Sequence, residues 1–416
     1  MLKLYRIDLA VIPCYFMYNT FLSVQCTSKL RLPLSQLSYV GGSTSTQGFY
    51  LTTTTEFKST SPALHAGTTT CSTMSNEAAA SKSAIVLGAT GFVGSHIVRN
   101  LLLKGYRVEG TCRNIEAAQW LKDLVVTGSS LNLHEITLDS TGSKTAEDDK
   151  IAKLVKDDCK GIFMCLGHEK QEPNTINFME HAGLTALQAA NSSNSKPCVV
   201  LTSSTGSTNP PGVAADAIKN ELDFWSDADQ QKAAGKWSPA AKTLMELAAL
   251  RYVGRNARNE IVHEEEAKDK PRLCILNPSL ILGPQLRPGP LLGNGLPWFA
   301  KIVRGKAMAD KIWNDSMSII HVDDLAKLHI GCIENSEASG RYFGVEQSWH
   351  WEDILGAIKA SEGDAFTMPP KQFTERAAVT SFDTSRRDTL IGGGFQLRGL
   401  LKLVSETCEF LRDREI

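Results

Sequence analysis

Short apolar runs alternate with amphipathic stretches from about residue 83 onward. Runs at 84–87, 107–112, 131–138, 161–166, 198–201 and 272–277 are short and mostly rich in Val, Ile, Leu and Cys. Runs of that length with little polar alternation predict strands buried on both faces of a parallel sheet. Between them apolar residues return at helical spacing. Ile97, Val98, Leu101 and Leu102 share one face, and 174–191 places Ile176, Met179, Ala182, Gly183, Ala186 and Leu187 on another. The stretch 239–252 (PAAKTLMELAALRY) is a third helix, with Pro239 suited to its first turn and Ser238 to its cap. Strand and helix in alternation predict an α/β fold, a Rossmann-type doubly wound parallel sheet with helices on both faces.

The pattern changes after Asn277. Residues 278–295 are dense in Pro and Gly and are expected to leave the sheet. A short helix is expected at 296–303. A strand at 318–321 leads into Val322, Asp323 and Asp324, then a helix carrying Leu325, Leu328 and Ile330. Either acid there reads as an N-cap. A strand at 340–345 and helices at 351–360 and 397–411 complete the chain. The expected organisation is a nucleotide-binding domain over 82–283, to which 317–335 returns. A smaller C-terminal substrate-binding region then takes 284–316 and 336–416.

Residues 1–73 follow neither pattern. They are rich in Ser and Thr and carry two acids, Asp8 and Glu56. Lys3 and Arg6 precede an apolar stretch, 9–16, as in a targeting segment. Pro13, Asn19 and Gln25 argue against a spanning helix, so no integral membrane domain is expected. Met74 opens MSNEAAASKSAIVLGATG, which also suits a cytosolic start. Two readings therefore stand: a cytoplasmic protein starting at Met74, or an organellar one whose 1–73 extension is a plastid or secretory address. Neither gives 1–73 a place in the fold.

The formal net charge is −1 and 21% of residues are charged, which points away from a nucleic-acid binder. The 10 Cys include no CxxC pair, and His and Cys do not cluster at metal-ligand spacing. They read as small core hydrophobes, with no metal site.

The candidate chemistry begins at AIVLGATGFVG, residues 84–94. Gly88, Gly91 and Gly94 fall between a strand and a helix, with Thr90, Phe92 and Val93 among them. In that context the first glycine permits a tight turn. The second lets a phosphate approach the backbone, and the third lets helix and strand pack closely. The helix N–H groups then face an anion. An NAD site would carry an acid at the end of the second strand. Here Cys112 holds that place and Arg113 follows, which suits the 2′-phosphate of NADP. Lys122 is placed to assist. Asp139, expected at the end of the third strand, either bonds an adenine amino group or caps a turn.

The stretches GATGFVGSHIVRNLLLKGYRVEGTCR, VVLTSSTGS, ELDFWSD, KTLMELAAL, LCILNPSLILGP, IIHVDDLAKLHI and GRYFGVEQS together resemble the extended short-chain dehydrogenase/reductases. Within them the match is to the dihydroflavonol reductase and cinnamoyl-CoA reductase group. The resemblance runs from about residue 83 to the C-terminus. It implies NADP(H) and reduction of a carbonyl on a small, often aromatic, substrate. It implies a serine that polarises the carbonyl, a tyrosine that donates the proton, and a lysine four residues later that binds the nicotinamide ribose and lowers the tyrosine pKa. Carried over, the serine is Ser204, with Ser203 competing, the lysine is Lys242, and Pro278 lies against the nicotinamide.

The chain departs from this pattern twice. Ser238 stands at the tyrosine position, in Lys236-Trp237-Ser238-Pro239-Ala240-Ala241-Lys242. Its hydroxyl is less acidic and its side chain shorter than a phenol. The fourth strand ends in Leu166-Gly167-His168-Glu169, where the group has a small residue, Ser or Thr, and Pro. His168 is then either a loop histidine or a replacement acid titrating near neutrality, and water held by Ser204 and Lys242 is a third proton source. The sequence supports an NADP(H)-dependent oxidoreductase for a small molecule, with a non-standard proton donor. Its alternative is a catalytically weak or inactive NADP(H)-binding sensor or scaffold. The substrate pocket is expected from 286–298, the Trp225 loop and Trp313.

Overall fold

The computed structural model describes residues 82–414, apart from 169–170, 215 and 393–394. The expected extension, 1–73, lies outside the described residues.

Strand pleat explains the layering. In β1 (Ser83–Leu87) every residue is buried, and successive side chains point to opposite faces. Ala84 and Val86 enter one core, Ile85 and Leu87 the other. The same alternation holds in β5 (Cys198–Thr202) and β7 (Leu273–Pro278), where Val200 and Cys274 share the first core, and Val199 and Ile275 the second. Helix α1 (Phe92–Leu103) closes the first face together with α8 (Val322–Glu334). Helices α3 (Asn174–Asn191) and α5 (Trp237–Tyr252) close the second. The remaining strands of this sheet are β2 (Arg107–Cys112), β3 (Ser130–Glu135), β4 (Cys159–Met164) and β10 (Gly340–Gly344). Among the described residues the sheet has seven strands in the order β10-β7-β5-β4-β1-β2-β3, every neighbouring pair parallel. The strand order reverses between β1 and β4, the place where such sheets bind ligands.

A smaller sheet pairs β8 (Leu280–Leu282) parallel to β9 (Ser316–His321), and β9 antiparallel to β11 (Gln347–His350). Its core joins Leu282 to Phe299 of α7 (Gly295–Val303), Trp351 of α9 (Trp351–Glu362) and Leu403 of α11 (Leu400–Arg412). Short elements fill the connections: α2 (Ala146–Leu154), β6 (Ile218–Lys219), α4 (Ala228–Ala233), α6 (Glu264–Ala267), β12 (Ser381–Phe382) and α10 (Ser385–Asp388).

The two sheets interleave in sequence more than the apolar pattern indicates. β10 lies within 336–416 yet pairs with β7 as the edge of the large sheet. β8 falls before residue 284 and belongs to the small sheet. The third strand ends at Glu135, so Ile136 and Leu138 have left the sheet although both remain buried. Neither Asp323 nor Asp324 is an N-cap. Helix α8 starts at Val322, and the His321 Nδ1 accepts the Asp323 N–H at 3.1 Å. The acids instead clamp the C-terminal segment. Asp323 accepts from Asn100 at 2.8 Å and pairs with Lys327 at 3.0 Å and Arg398 at 3.2 Å. Asp324 accepts the Arg398 backbone N–H at 2.7 Å. Among the described residues no helix is long and apolar enough to cross a membrane.

Candidate active site

The glycine motif is dictated by contact. Gly88 has φ +85°, and a Cβ there would lie 3.1 Å from Leu166 Cδ2. A Cβ on Gly94 would sit 2.1 Å from the Gly88 carbonyl oxygen, so no other residue fits without moving α1 off β1. The Gly88 N–H donates to Thr111 Oγ1 (3.1 Å) and the Ala89 N–H to the Thr111 carbonyl (3.0 Å), which ties the turn to β2. Gly91 is the N-cap of α1. It offers no side chain to the first-turn N–H groups, and no acid lies in that turn. The positive end of a 12-residue helix is left for an external anion.

A cavity of about 530 Å³ opens over this turn. It is lined by Gly88, Thr90 and Gly91 of the turn, by Arg113, by Leu138 and Ser140, and by Cys165, Leu166, Gly167 and His168 after β4. Leu292 and Gly293 reach it from the segment before α7. Arg113 is exposed at the mouth. Phe92 and Val93 do not line it. They open α1, Phe92 packing towards the small-sheet core and Val93 towards the large one. Lys122 is exposed on a 3-10 segment, Glu116–Leu124.

Asp139 is held in a turn. Its Oδ1 accepts from the Thr141 N–H (2.7 Å) and the Thr141 hydroxyl, which hold the carboxyl below its ordinary pKa. Its neighbours Leu138 and Ser140, rather than Asp139, line the cavity.

Beyond β5 a second set of groups converges. Lys242 Nζ donates to the Thr202 carbonyl at 2.6 Å. Burial pushes its pKa down to about 8, while the charges of Cys165 and Glu246 work in the opposite direction. Among the described residues this is its one hydrogen bond, so two of its three donors remain for a ligand. Ser204 caps a short turn, its Oγ accepting from the Gly206 N–H at 3.0 Å, and its hydroxyl hydrogen stays available. Ser203 is committed elsewhere: it is buried and donates to Glu246. The structure therefore separates two serines that the sequence leaves in competition.

Glu246 is the group that sequence reasoning misses. It lies one turn beyond Lys242 on α5 and is fully buried. It also accepts from Ser207 at 2.5 Å and Asn277 at 2.7 Å, and pairs with Arg341 Nε at 2.8 Å. Arg341 in turn binds the Glu221 and Phe224 carbonyls at 2.8 and 3.0 Å and lies over the Trp225 ring at 3.7 Å. The i, i+4 spacing of Lys242 and Glu246 was the available signal. Trp225 thus belongs to this network, and Trp313 stacks on Trp298 at 6.1 Å. Pro278 ends β7, buried beside Gly344.

Ser238 is not the cap of its helix. Helix α5 begins at Trp237, the N-cap is Lys236, and Ser238 sits half-buried in the first turn with its N–H donating to Gln171 Oε1 at 3.2 Å. His168 Nδ1 lies 3.4 Å from Thr175 Oγ1 and its ring meets Phe178 edge-on at 5.4 Å. It therefore lines the cavity beside the glycine turn and Phe178.

Comparison with known proteins agrees with this geometry. Residues 84–224 match the NAD dependent epimerase/dehydratase family. Cinnamoyl-CoA reductase 2 of Medicago truncatula is 28% identical over 294 residues, covering 70% of this chain and 80% of that protein. Dihydroflavonol 4-reductase of Hordeum vulgare is 29% identical over 269 residues, covering 62% of this chain and 69% of the relative. The chain is similar to the extended short-chain dehydrogenase/reductases of the dihydroflavonol and cinnamoyl-CoA reductase group. Vestitone reductase from alfalfa shares its fold, with a TM-score of 0.62 at 21% identity over 80% of this chain and 98% of that one. A yeast methylglyoxal/isovaleraldehyde reductase complexed with NADPH does so with a TM-score of 0.63 at 21% identity, over 79% of this chain and 98% of that one. A nicotinamide dinucleotide fits this cavity, because the uncapped α1 terminus and Gly91 suit its phosphates. Among the described residues no group of three or more His, Cys, Asp or Glu is arranged to hold a metal ion.

Proposed function

We propose that the protein is an NADP(H)-dependent oxidoreductase acting on the carbonyl or alcohol carbon of a small, hydrophobic or aromatic molecule. The observation that carries the reading is an available Ser204 hydroxyl just past β5 together with a half-buried Lys242 bonded to the Thr202 carbonyl at the end of that strand. Its relatives include cinnamoyl-CoA and dihydroflavonol reductases, which supports a carbonyl substrate. Gly88, Thr90 and Gly91 would hold the pyrophosphate side of the cofactor together with the backbone N–H groups of Phe92, Val93 and Gly94 in the first turn of α1, Arg113 the 2′-phosphate, and Lys242 and Pro278 the nicotinamide end. When bound, NADPH supplies the hydride. Ser204 donates its hydroxyl hydrogen to the substrate carbonyl and stabilises the charge that develops there. Lys242 holds positive charge next to that oxygen and orders a water between itself and Ser204. That water delivers the proton that a tyrosine would otherwise supply, takes one in turn from the Lys242 ammonium, and Lys242 is recharged from solvent. His168, beside the glycine turn, serves cofactor binding in this reading rather than proton donation. The domain assignment follows: the large sheet holds the cofactor, and the small sheet with α7, α9 and α11 shapes the substrate side.

Ser238 favours a second reading, a weak or inactive NADP(H)-binding sensor. The two are separated by NADPH consumption over a broad aldehyde and ketone panel, with Ser204→Ala as control. Turnover lost in the variant supports the oxidoreductase. Tight NADPH binding without turnover supports the sensor.

A further inference from the structure

The segment from Pro284 to Gly293 leaves the sheet, makes no strand or helix, and still returns to the cavity. Three sets of bonds explain how an irregular, Pro- and Gly-rich segment keeps that path. At its root, His96 in the second turn of α1 bonds the Pro284 carbonyl through Nε2 at 2.9 Å. Inside it, Gln285 is 5% exposed and acts as a brace. Its Nε2 donates to the Arg287 carbonyl at 2.7 Å and the Pro290 carbonyl at 3.0 Å, and its Oε1 accepts the Leu292 N–H at 2.7 Å. At the outer bend, Arg414 donates to the Gly289 carbonyl at 2.9 Å. The result is a closed loop whose end, half-buried Leu292 with Gly293, lines the same cavity as the glycine turn. One amide side chain satisfies three backbone groups that no sheet or helix would satisfy.

We propose that Gln285 is a positioning residue for the cofactor: it holds 284–293 as a strap over the nucleotide cavity that Gly88 and Gly91 also line. The proposal rests on the reading that this cavity takes NADP(H). The strap acts by pre-organisation. A loop already held in its closed path loses little freedom when a ligand arrives, and the ligand must displace it to leave. The bonds lie within the strap, so Gln285 touches no reacting atom, and its effect falls on retention of cofactor rather than on encounter.

The test is stopped-flow fluorescence of NADPH on the full chain, giving association and release rates separately. Gln285→Met keeps the size of the side chain and removes its bonds. Leu292→Gly leaves the brace intact and removes the contact at the cavity. Each is expected to speed NADPH release roughly tenfold with association changed less than about twofold. Wild-type release rates in both variants overturn the strap while leaving the cofactor reading intact. If Gln285→Met does not fold, Leu292→Gly decides alone. If the wild-type chain binds no NADPH, the cofactor reading falls and the strap with it.

Discussion

Lys242 Nζ rests on the carbonyl of Thr202 at 2.6 Å, two residues before Ser204 in the chain. One hydrogen bond therefore links the group that carries positive charge to the turn that carries the hydroxyl. Burial lowers the Lys242 pKa to about 8, so the ammonium is held against its own desolvation.

That arrangement costs stability, and the cost depends on pH. The unfolded chain holds its lysine proton up to about pH 10.4, the folded one to about 8. Below pH 8 both states are charged and the folded state carries the full penalty. Between the two values the unfolded state binds more protons, so stability rises with pH. Lys242→Met in the cofactor-free protein is expected to be more stable than wild type by about 1–3 kcal/mol at pH 7. The difference should close above about pH 10. Urea unfolding at pH 7 and pH 10 measures it, and a Lys242→Met less stable at pH 7 contradicts the assignment.

Gly94→Ala places a methyl group where the Gly88 carbonyl oxygen already is. We expect a loss of more than about 3 kcal/mol, or an α1 displaced from β1 with loss of cofactor binding. Thermal melting and NADPH titration check this. A variant with wild-type melting and affinity removes the steric reading of the motif.

Arg113→Ala should weaken NADPH binding by roughly 10- to 100-fold and leave NADH binding within about twofold, since only the former has a 2′-phosphate to pair. Isothermal titration with both cofactors decides it. An equal loss for both cofactors would show that Arg113 does not read the phosphate.

Glu246→Gln removes the carboxylate paired with buried Arg341, leaving only Glu221 as an acidic neighbour among the described residues, and disturbs the hydroxyls of Ser203 and Ser207. The expected destabilisation is about 3–5 kcal/mol, partly recovered in Glu246→Gln with Arg341→Met. Chemical denaturation of the single and double variants measures both.

The parallel sheet and its glycine turn were legible because apolar run length and glycine spacing answer to local physics. The side-chain roles were less so. Ser203 and Ser204 are the same residue in adjacent places. What divides them is Glu246, which takes the first and leaves the second. For Asp139 the sequence leaves an adenine ligand and a turn cap open; β3 ends at Glu135, short of the apolar run, and Thr141 holds Asp139 in a turn. Asp323 and Asp324 looked like caps because charged residues at helix starts are often exposed. Their partner Arg398 lies more than 70 residues away and gives no local signal. Gln285 is unremarkable in sequence, since its three partners are all backbone atoms.

The replaced tyrosine bears directly on mechanism. Ser238→Tyr is expected to raise turnover at least roughly tenfold if Ser204 and Lys242 already form a working site. It should also displace Gln171 from the Ser238 N–H. Steady-state rates before and after the change report it, and an unchanged rate favours the sensor reading.

The measurement closest to the central claim is single-turnover transfer of deuterium from C4-deuterated NADPH to a carbonyl substrate, followed by mass spectrometry. The account predicts deuterium on the product alcohol carbon in the wild-type chain, with the rate reduced at least roughly 100-fold in Lys242→Met. Saturating NADPH with no deuterium in any product, or equal rates in the two proteins, would contradict it.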